Sequence, residues 1–152
     1  MNLPDLLTQD TVVDRDTFRE SILQLQEVLG AYEQIECPLK HHFAPGVYAR
    51  EISVPAGTLC VGKIHIHAHL NIISKGSGFV ATETGREYFN APYTFVSEVG
   101  TKRAVHAITD VIWTTIHLTE KTDLVEIENE IIAPDYETLD ARLSYDKPKE
   151  LT

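Results

Sequence analysis

The spacing of apolar residues changes twice along this chain of 152 residues. Near the N-terminus, apolar residues recur at intervals of three and four, which is the pattern of one buried helix face. The segment Thr17-Phe-Arg-Glu20 has the form of a capping box, so we expect a helix that begins near Thr17 and ends near Gln34. Its apolar stripe must bury against the main domain or a second subunit. The stripe consists of Phe18, Ile22, Leu25, Leu29 and Tyr32.

From residue 44 to residue 118 the pattern becomes that of short strands. Runs rich in Val, Ile, Thr, Tyr and Phe alternate with Gly, Pro and Asp turns. About eight short strands at this spacing predict a sandwich or barrel rather than a parallel sheet with crossover helices. The predicted strands are residues 47–54, 59–66, 69–74, 78–82, 87–91, 94–99, 103–108 and 111–118.

After residue 118 the helical spacing returns. Leu124, Ile127 and Ile131 predict a short acidic helix, and a second helix is expected from about Pro134 to Leu143. Residues 1–13 and 147–152 show no clear period, and we expect a loose arm and a frayed end. The chain is therefore interpreted as one domain: an arm and helix over 1–43, a barrel over 44–118, and a helical segment over 119–152.

Composition narrows the class of protein. The content of 43% hydrophobic residues is enough for one core. The net charge of −10 argues against binding to nucleic acid or to anionic membranes, because both need a basic surface. No apolar run is long enough to cross a bilayer and the N-terminus lacks the features of a signal peptide, so we expect a cytoplasmic protein. Cys37 and Cys60 form no CxxC motif and are expected to remain thiols.

Three histidines alternate along one predicted strand. His65, His67 and His69 would share one face, and imidazole is the commonest protein ligand for transition metals. In a straight strand, however, His65 and His69 would lie about 13 Å apart, too far to share one ion. Either His65 and His67 bind together, or the chain turns at Ala68 and His69 folds back beside His65. Both alternatives predict a metal site.

The last predicted strand contributes another histidine. His117 has the same parity as Trp113 and Thr115, so all three should face one side. If that side is the interior, His117 is a further metal ligand or acid–base group, and Trp113 is a wall of the pocket. His41 and His42 lie in a stretch that we interpret as a loop before the first strand.

The order of several turn residues around the histidine strand resembles the cupin superfamily. These residues are Pro55-Ala-Gly57, Gly76, Pro92 and Gly100 with a basic residue three positions later. The resemblance implies a small jelly-roll barrel over about residues 44–118. It also implies that the family's two strand histidines fall on Lys63 and His65. The family's glutamate falls on His69 and its last histidine on Arg103. The segments HHFAPGVYAREI and APYTFVSEVGTKR also resemble small cupin-like proteins of bacteriophages and their bacterial hosts.

This alignment places two cations in the barrel interior. An unpaired buried cation is costly, so Lys63 and Arg103 should either pair with a carboxylate or bind an anionic ligand. The candidate carboxylates are Glu98, Glu51 and Asp110. We also expect these cations to lower the pKa values of His65, His67 and His69.

Three functions are compatible with these residues. The first is a metal-dependent enzyme in which His65, His67, His69 and His117 hold zinc, iron, nickel or manganese, while Lys63, Arg103 and Trp113 bind a small anionic substrate. The second is a non-catalytic module that captures a small anion. The third is a structural or virion-associated protein whose pocket is vestigial. The apolar stripe of the helix favours a homodimer in each case, and so does the resemblance, because proteins of the superfamily commonly form dimers.

Overall fold

Three helices and eleven strands follow one another in the computed structural model, which describes residues 14–82 and 85–146. The predictions for residues 1–13 and 147–152 lie outside these ranges. The elements are α1 (Arg15–Gly30), β1 (Leu39–Ala44), β2 (Val47–Val54), β3 (Leu59–Val61), β4 (Ile64–His65), β5 (His69–Lys75), β6 (Ser77–Thr82), β7 (Gly85–Asn90), β8 (Tyr93–Ser97), β9 (Ala104–Ala107), β10 (Val111–Leu118), α2 (Leu124–Ile131), β11 (Ile132–Ala133) and α3 (Tyr136–Asp146).

The strands form three antiparallel sheets. The larger sheet has the order β1-β2-β10-β5-β8, the smaller has the order β3-β9-β6-β7, and β11 pairs with β4. Apolar side chains from the two larger sheets pack into one core, so these sheets face each other across a shared interior. The core residues are Val54, Ile73, Val80, Phe89, Val105, Ala107, Val111 and Trp113. The prediction of an antiparallel, mainly β fold with helices before and after the strands is confirmed.

Helix α1 covers the smaller sheet. Its buried residues Phe18, Ile22 and Leu25 pack with Ala81 and Ala104 of that sheet. These three residues of the predicted stripe are therefore buried within the chain, whereas Tyr32 lies beyond the helix and is 62% exposed. Within the described residues, no helix is long and apolar enough to cross a membrane.

The predicted start and end of this helix are wrong. The N-cap is Asp14, whose carboxylate accepts bonds from the Thr17 amide and hydroxyl, both at 2.8 Å. A carboxylate at this position satisfies the free amides of the first turn, so the helix begins three residues earlier than the capping-box interpretation placed it. It ends at Gly30 rather than near Gln34.

Two strand predictions also needed correction. Residues 39–44, interpreted as a loop containing His41 and His42, form β1 and pair with β2. The predicted strand over 59–66 is divided into β3 and β4, because Gly62 and Lys63 leave the strand pairing. Because of this break, the side chains before and after Gly62 and Lys63 do not alternate as they would in one strand, and the site prediction depended on that alternation.

The C-terminal segment supports the strand that carries the first candidate histidine. Helix α2 begins after Asp123, whose side chain accepts the Glu126 amide at 3.0 Å. Strand β11 then pairs Ile132 with His65 and Ala133 with Ile64. Residues 124–133 therefore hold β4 in place.

Candidate metal site

The register of the larger sheet gathers polar side chains at one end of its inner face. On β10, His117 lies opposite Tyr48 of β2, and on β5, His69 lies opposite Ser97 of β8. All four side chains are buried, with at most 6% of each residue exposed. The predicted shared orientation of Trp113, Thr115 and His117 agrees with their burial, since Trp113 is 8% and His117 is 4% exposed.

A bend in the chain brings two of the strand histidines together. His65 ends β4, the chain bends at Ile66 and His67, and His69 begins β5. The rings of His65 and His69 consequently lie 4.4 Å apart, centroid to centroid. The structure therefore follows the second alternative from the sequence, with the bend slightly before Ala68. His67 is exposed at this bend and does not join the cluster.

His117 completes a cluster of three imidazoles. Its ring centroid lies 5.6 Å from that of His65 and 4.7 Å from that of His69. One ligand nitrogen from each histidine lies within 4.8 Å of the other two. Nitrogens bound tetrahedrally to one zinc-like ion, at about 2.1 Å each, would be about 3.4 Å apart, so small side-chain rotations are enough to bind one.

The hydrogen bonds of the cluster leave nitrogens available for a metal. His69 Nδ1 lies 3.2 Å from the backbone oxygen of His67, which can only accept, so Nδ1 carries the proton and Nε2 keeps its lone pair. His117 Nε2 is buried and has no hydrogen-bond partner. A buried unpaired nitrogen is costly, and coordination of a cation would remove that cost.

Burial keeps the three imidazoles neutral. It lowers the pKa of His65 to about 3 and that of His117 to about 4, and the neighbouring imidazoles add to both shifts. The pKa of His69 is lowered by burial and by the charge of Arg103. The predicted direction is correct for His65 and His69, but its leading cause is burial and not the cation Lys63. Neutral imidazole is the form that binds metals.

The prediction that Lys63 points into the interior is wrong. Its side chain is 62% exposed and forms an ion pair with Glu128 of α2. The physical reason is the break between β3 and β4, which turns Lys63 away from the face that His65 occupies.

Arg103 is partly buried, and it contacts the interior as the resemblance implied. It donates to the Ser97 hydroxyl and lies 5.0 Å above the ring of Phe95. Burial lowers its pKa, while Glu87 opposes the shift. Two of the carboxylates suggested as partners are engaged elsewhere, because Glu51 contacts Lys40 and His42 and Asp110 accepts the Ala56 amide. Arg103 forms no ion pair within the described ranges.

A hydrogen-bond network separates the histidines from a neighbouring cavity. Asn71 donates to the Ser97 hydroxyl at 2.7 Å and accepts from Trp113 Nε1 at 3.0 Å, and Arg103 donates to the same hydroxyl. Beyond this network lies a cavity of about 380 Å³. Its lining includes Trp113, as predicted for a pocket wall, together with Phe89, Tyr93, Phe95, Lys102 and Arg103.

Comparison with known proteins gives only weak similarities. No family model and no curated protein matches the sequence. Among solved structures, a cupin domain from Bordetella pertussis Tohama I is 12% identical, with 59% of this chain and 99% of that chain covered and a TM-score of 0.46. A cupin-2 domain protein from Shewanella frigidimarina is 10% identical, with 61% and 90% covered and a TM-score of 0.46.

A larger enzyme is also among the similar structures. Salicylate 1,2-dioxygenase from Pseudaminobacter salicylatoxidans is 16% identical, with 76% of this chain covered and a TM-score of 0.49. The matched part is only 38% of the dioxygenase chain. At these identities, the chemistry of the present site has to be inferred from its own residues.

Sequence reasoning missed Asn71 and Ser97. A signal for Asn71 was present, because it lies two residues after His69 on the same strand and therefore on the same face. Ser97 had no such signal, since its place beside His69 depends on the pairing of β5 with β8.

Proposed function

We propose that His65, His69 and His117 hold a divalent transition metal, and that the protein binds a small anionic molecule beside it. The observation that carries this proposal is the buried Nε2 of His117, which has no hydrogen-bond partner and lies beside two other neutral imidazoles. Packing alone gives no reason to bury three imidazoles together, since each would lose hydrogen bonds to water.

The donor set fits a metal of the zinc, iron or nickel type. Imidazole nitrogen suits all of these ions, and three protein ligands leave a coordination position open. A metal held in this way supplies Lewis acidity to a bound oxygen atom. The residues of the chain orient the ligands: the carbonyl of His67 fixes the His69 ring, and the pairing of β11 with β4 positions His65.

The anion part of the proposal is supported by Arg103. Its guanidinium is partly buried and forms no ion pair in the described part of the chain, and it lines the cavity next to Trp113 and Phe95. Arginine presents a planar set of donors that suits carboxylate and phosphate groups. Aromatic walls around it would bind the organic part of such a molecule.

Metal analysis of untagged protein tests the first part. Metal-stripped protein supplied with zinc should take up close to one ion per chain, measured by mass spectrometry after gel filtration. His65→Ala, His69→Ala and His117→Ala should each reduce this uptake strongly, whereas the exposed His67→Ala should retain it. Wild-type protein that takes up no metal, or a His67→Ala loss as large as that of His117→Ala, would refute the site.

A non-catalytic anion-binding module is the second candidate, favoured by the same partly buried arginine. In this case anionic metabolites would raise the melting temperature of metal-free protein, because a ligand that binds only the folded state stabilises it. The increase should persist in His117→Ala and be reduced in Arg103→Met. An increase that requires both the metal and His117 would instead favour the metal-dependent function.

A further inference from the structure

A second arginine faces the interior close to the histidine cluster. Arg50 lies on β2 between Tyr48 and Ile52, and these three alternate residues share the inner face of the larger sheet. Tyr48 is 3% exposed, and Ile52 packs against the apolar core. Arg50 itself is only partly buried, so its guanidinium remains accessible.

Arg50 lacks the contacts that occupy Arg103. Within the described residues it has no hydrogen bond, ion pair or aromatic ring contact, whereas Arg103 contacts both Ser97 and Phe95. In the sheet, the pair of Arg50 and Thr115 lies two residues along the strands from the pair of Tyr48 and His117, so Arg50 shares the inner face with one metal-ligand candidate. A partly exposed guanidinium without a partner is available to bind an anion.

The residue opposite Arg50 supplies a second unpaired polar atom. Thr115 of β10 pairs with Arg50 in the sheet, and its side chain faces the interior between Trp113 and His117. Its hydroxyl oxygen is buried and has no hydrogen-bond partner. Arg50 and Thr115 are therefore neighbours across the sheet, two residues along β10 from His117.

We propose that Arg50 and Thr115 form a carboxylate-binding site beside the three histidines, so that the ligand of the proposed metal centre is a small organic monocarboxylate. The guanidinium would bind both carboxylate oxygens through parallel N–H bonds, and the Thr115 hydroxyl would donate to one of them. The inference rests on the proposed function for the neighbouring metal, but the carboxylate site itself needs only Arg50 and Thr115.

The charge of the site favours a carboxylate over a phosphate. Around Arg50 and Thr115, the other side chains of β2 and β10 on this face are Tyr48, Ile52, Trp113 and His117, none of which is a permanent cation. In metal-free protein, one guanidinium balances one carboxylate, whereas a phosphate dianion would bring a second negative charge that no cation on this face balances.

Titration with acetate and with inorganic phosphate tests this site. Both are added at pH 7.5 and constant ionic strength to metal-free and to zinc-loaded protein. Binding is followed through the fluorescence of Trp113, the single tryptophan of the chain, which lies two residues from Thr115. Metal content is measured on the same samples. We expect acetate to bind to both forms, and phosphate to bind more weakly than acetate.

Four variants assign the binding to residues. In metal-free protein, Arg50→Met should weaken acetate at least about tenfold, the usual effect of losing charge-assisted hydrogen bonds, and Thr115→Val should weaken it by about three- to tenfold. Arg50→Lys should retain part of the affinity. The matched control is Lys40→Met, which removes a 74% exposed cation from the adjacent strand and should change the affinity less than about twofold.

The outcomes separate this inference from the metal proposal. Acetate binding that depends on Arg50 in a protein that takes up no zinc supports the carboxylate site and refutes the metal centre. Zinc uptake with acetate binding that is equal in Arg50→Met and Lys40→Met refutes the carboxylate site and leaves the metal centre intact. Absence of acetate binding from both forms of the wild type, or tighter binding of phosphate, also overturns the inference.

Discussion

The two ends of the larger sheet's inner face are built from the same strands but differ in composition. At one end, Ile73 and Val111 are 0% and 1% exposed and pack with Trp113 in the apolar core. At the other end, the same two strands carry His69 and His117, which are also buried. The apolar end gains stability from this burial, whereas the polar end loses hydrogen bonds to water.

The apolar end is therefore the source of stability, whereas the polar end is the candidate site. Asn71 marks the boundary, because it bonds to Trp113 on the apolar side and to Ser97, next to His69, on the polar side. The packing of the apolar end can stabilise a fold that keeps unpaired polar atoms at the other end, and such atoms are typical of functional sites. The following predictions test this division, from the largest expected effect to the smallest.

Substitution at the apolar end should have the largest effect on folding. Ile73→Ala should lower the free energy of unfolding by about 2–5 kcal/mol, the usual cost of such a cavity. Ile72→Ala is the matched control, since Ile72 lies on the outer face of the same strand and is 36% exposed. Urea denaturation should show a clearly smaller loss for the control. Equal losses would mean that the apolar end is not the stabilising one.

At the boundary, Asn71→Leu should lower the free energy of unfolding by about 2–3 kcal/mol. The buried Trp113 Nε1 would lose its acceptor, and the Ser97 hydroxyl would lose one of its donors. Asn90→Leu, at an exposed position of β7, should change the stability by less than about 0.5 kcal/mol. Chemical denaturation compares both variants with the wild type. An Asn71→Leu variant as stable as wild type would show that the network does not join the two ends.

The polar end should make metal-free protein sensitive to acid. The folded-state pKa values of His65 and His117 are about 3 and about 4, below the ordinary histidine value of about 6.5. Below pH 6.5 the unfolded chain therefore binds protons that the folded state does not, and stability falls as the pH decreases toward those folded values. His117→Leu should reduce the loss between pH 7 and pH 5.5 by about 1 kcal/mol, measured by denaturation at each pH.

If the wild type and His117→Leu lose stability in parallel over this range, His117 is not held neutral by burial. His106→Leu, at a partly buried histidine on β9, provides the comparison for histidine loss outside the cluster.

The smallest effect is expected at Lys63. Because its ion pair with Glu128 is exposed, Lys63→Met should cost less than about 1 kcal/mol and should leave zinc uptake unchanged. Glu128→Gln should behave in the same way. A loss of zinc uptake in Lys63→Met, measured by mass spectrometry, would show that Lys63 belongs to the metal site and would contradict its exposed position.

Regular alternation made part of the fold predictable. Residues 111–118 form a strand with the predicted bounds, and its parity placed His117 on the same side as Trp113. Strand β1 was missed because all six of its residues are exposed, so this edge strand has no alternation to detect. The interruption at Gly62 and Lys63 was also invisible, because it depends on the pairing partners of β3 and β4.

The candidate site was predictable only where it follows from local geometry. The separation of His65 and His69 in a straight strand already suggested a bend, and the structure contains one. The alternation of Tyr48, Arg50 and Ile52 also carried a signal for the interior arginine, which was not used. The approach of Ser97 to Arg103 could not be predicted, because it requires the two sheets to be assembled.

The pairing of β11 with β4 has a consequence for the order in which the chain folds during synthesis. His65 pairs with Ile132, which the ribosome adds 67 residues later. Since folding during synthesis proceeds from the N-terminus, β4 must wait for its partner until that segment has emerged. The pairing of β11 with β4 therefore forms only late in synthesis, and a nascent chain without β11 would contain all three histidines but lack the pairing of Ile132 with His65.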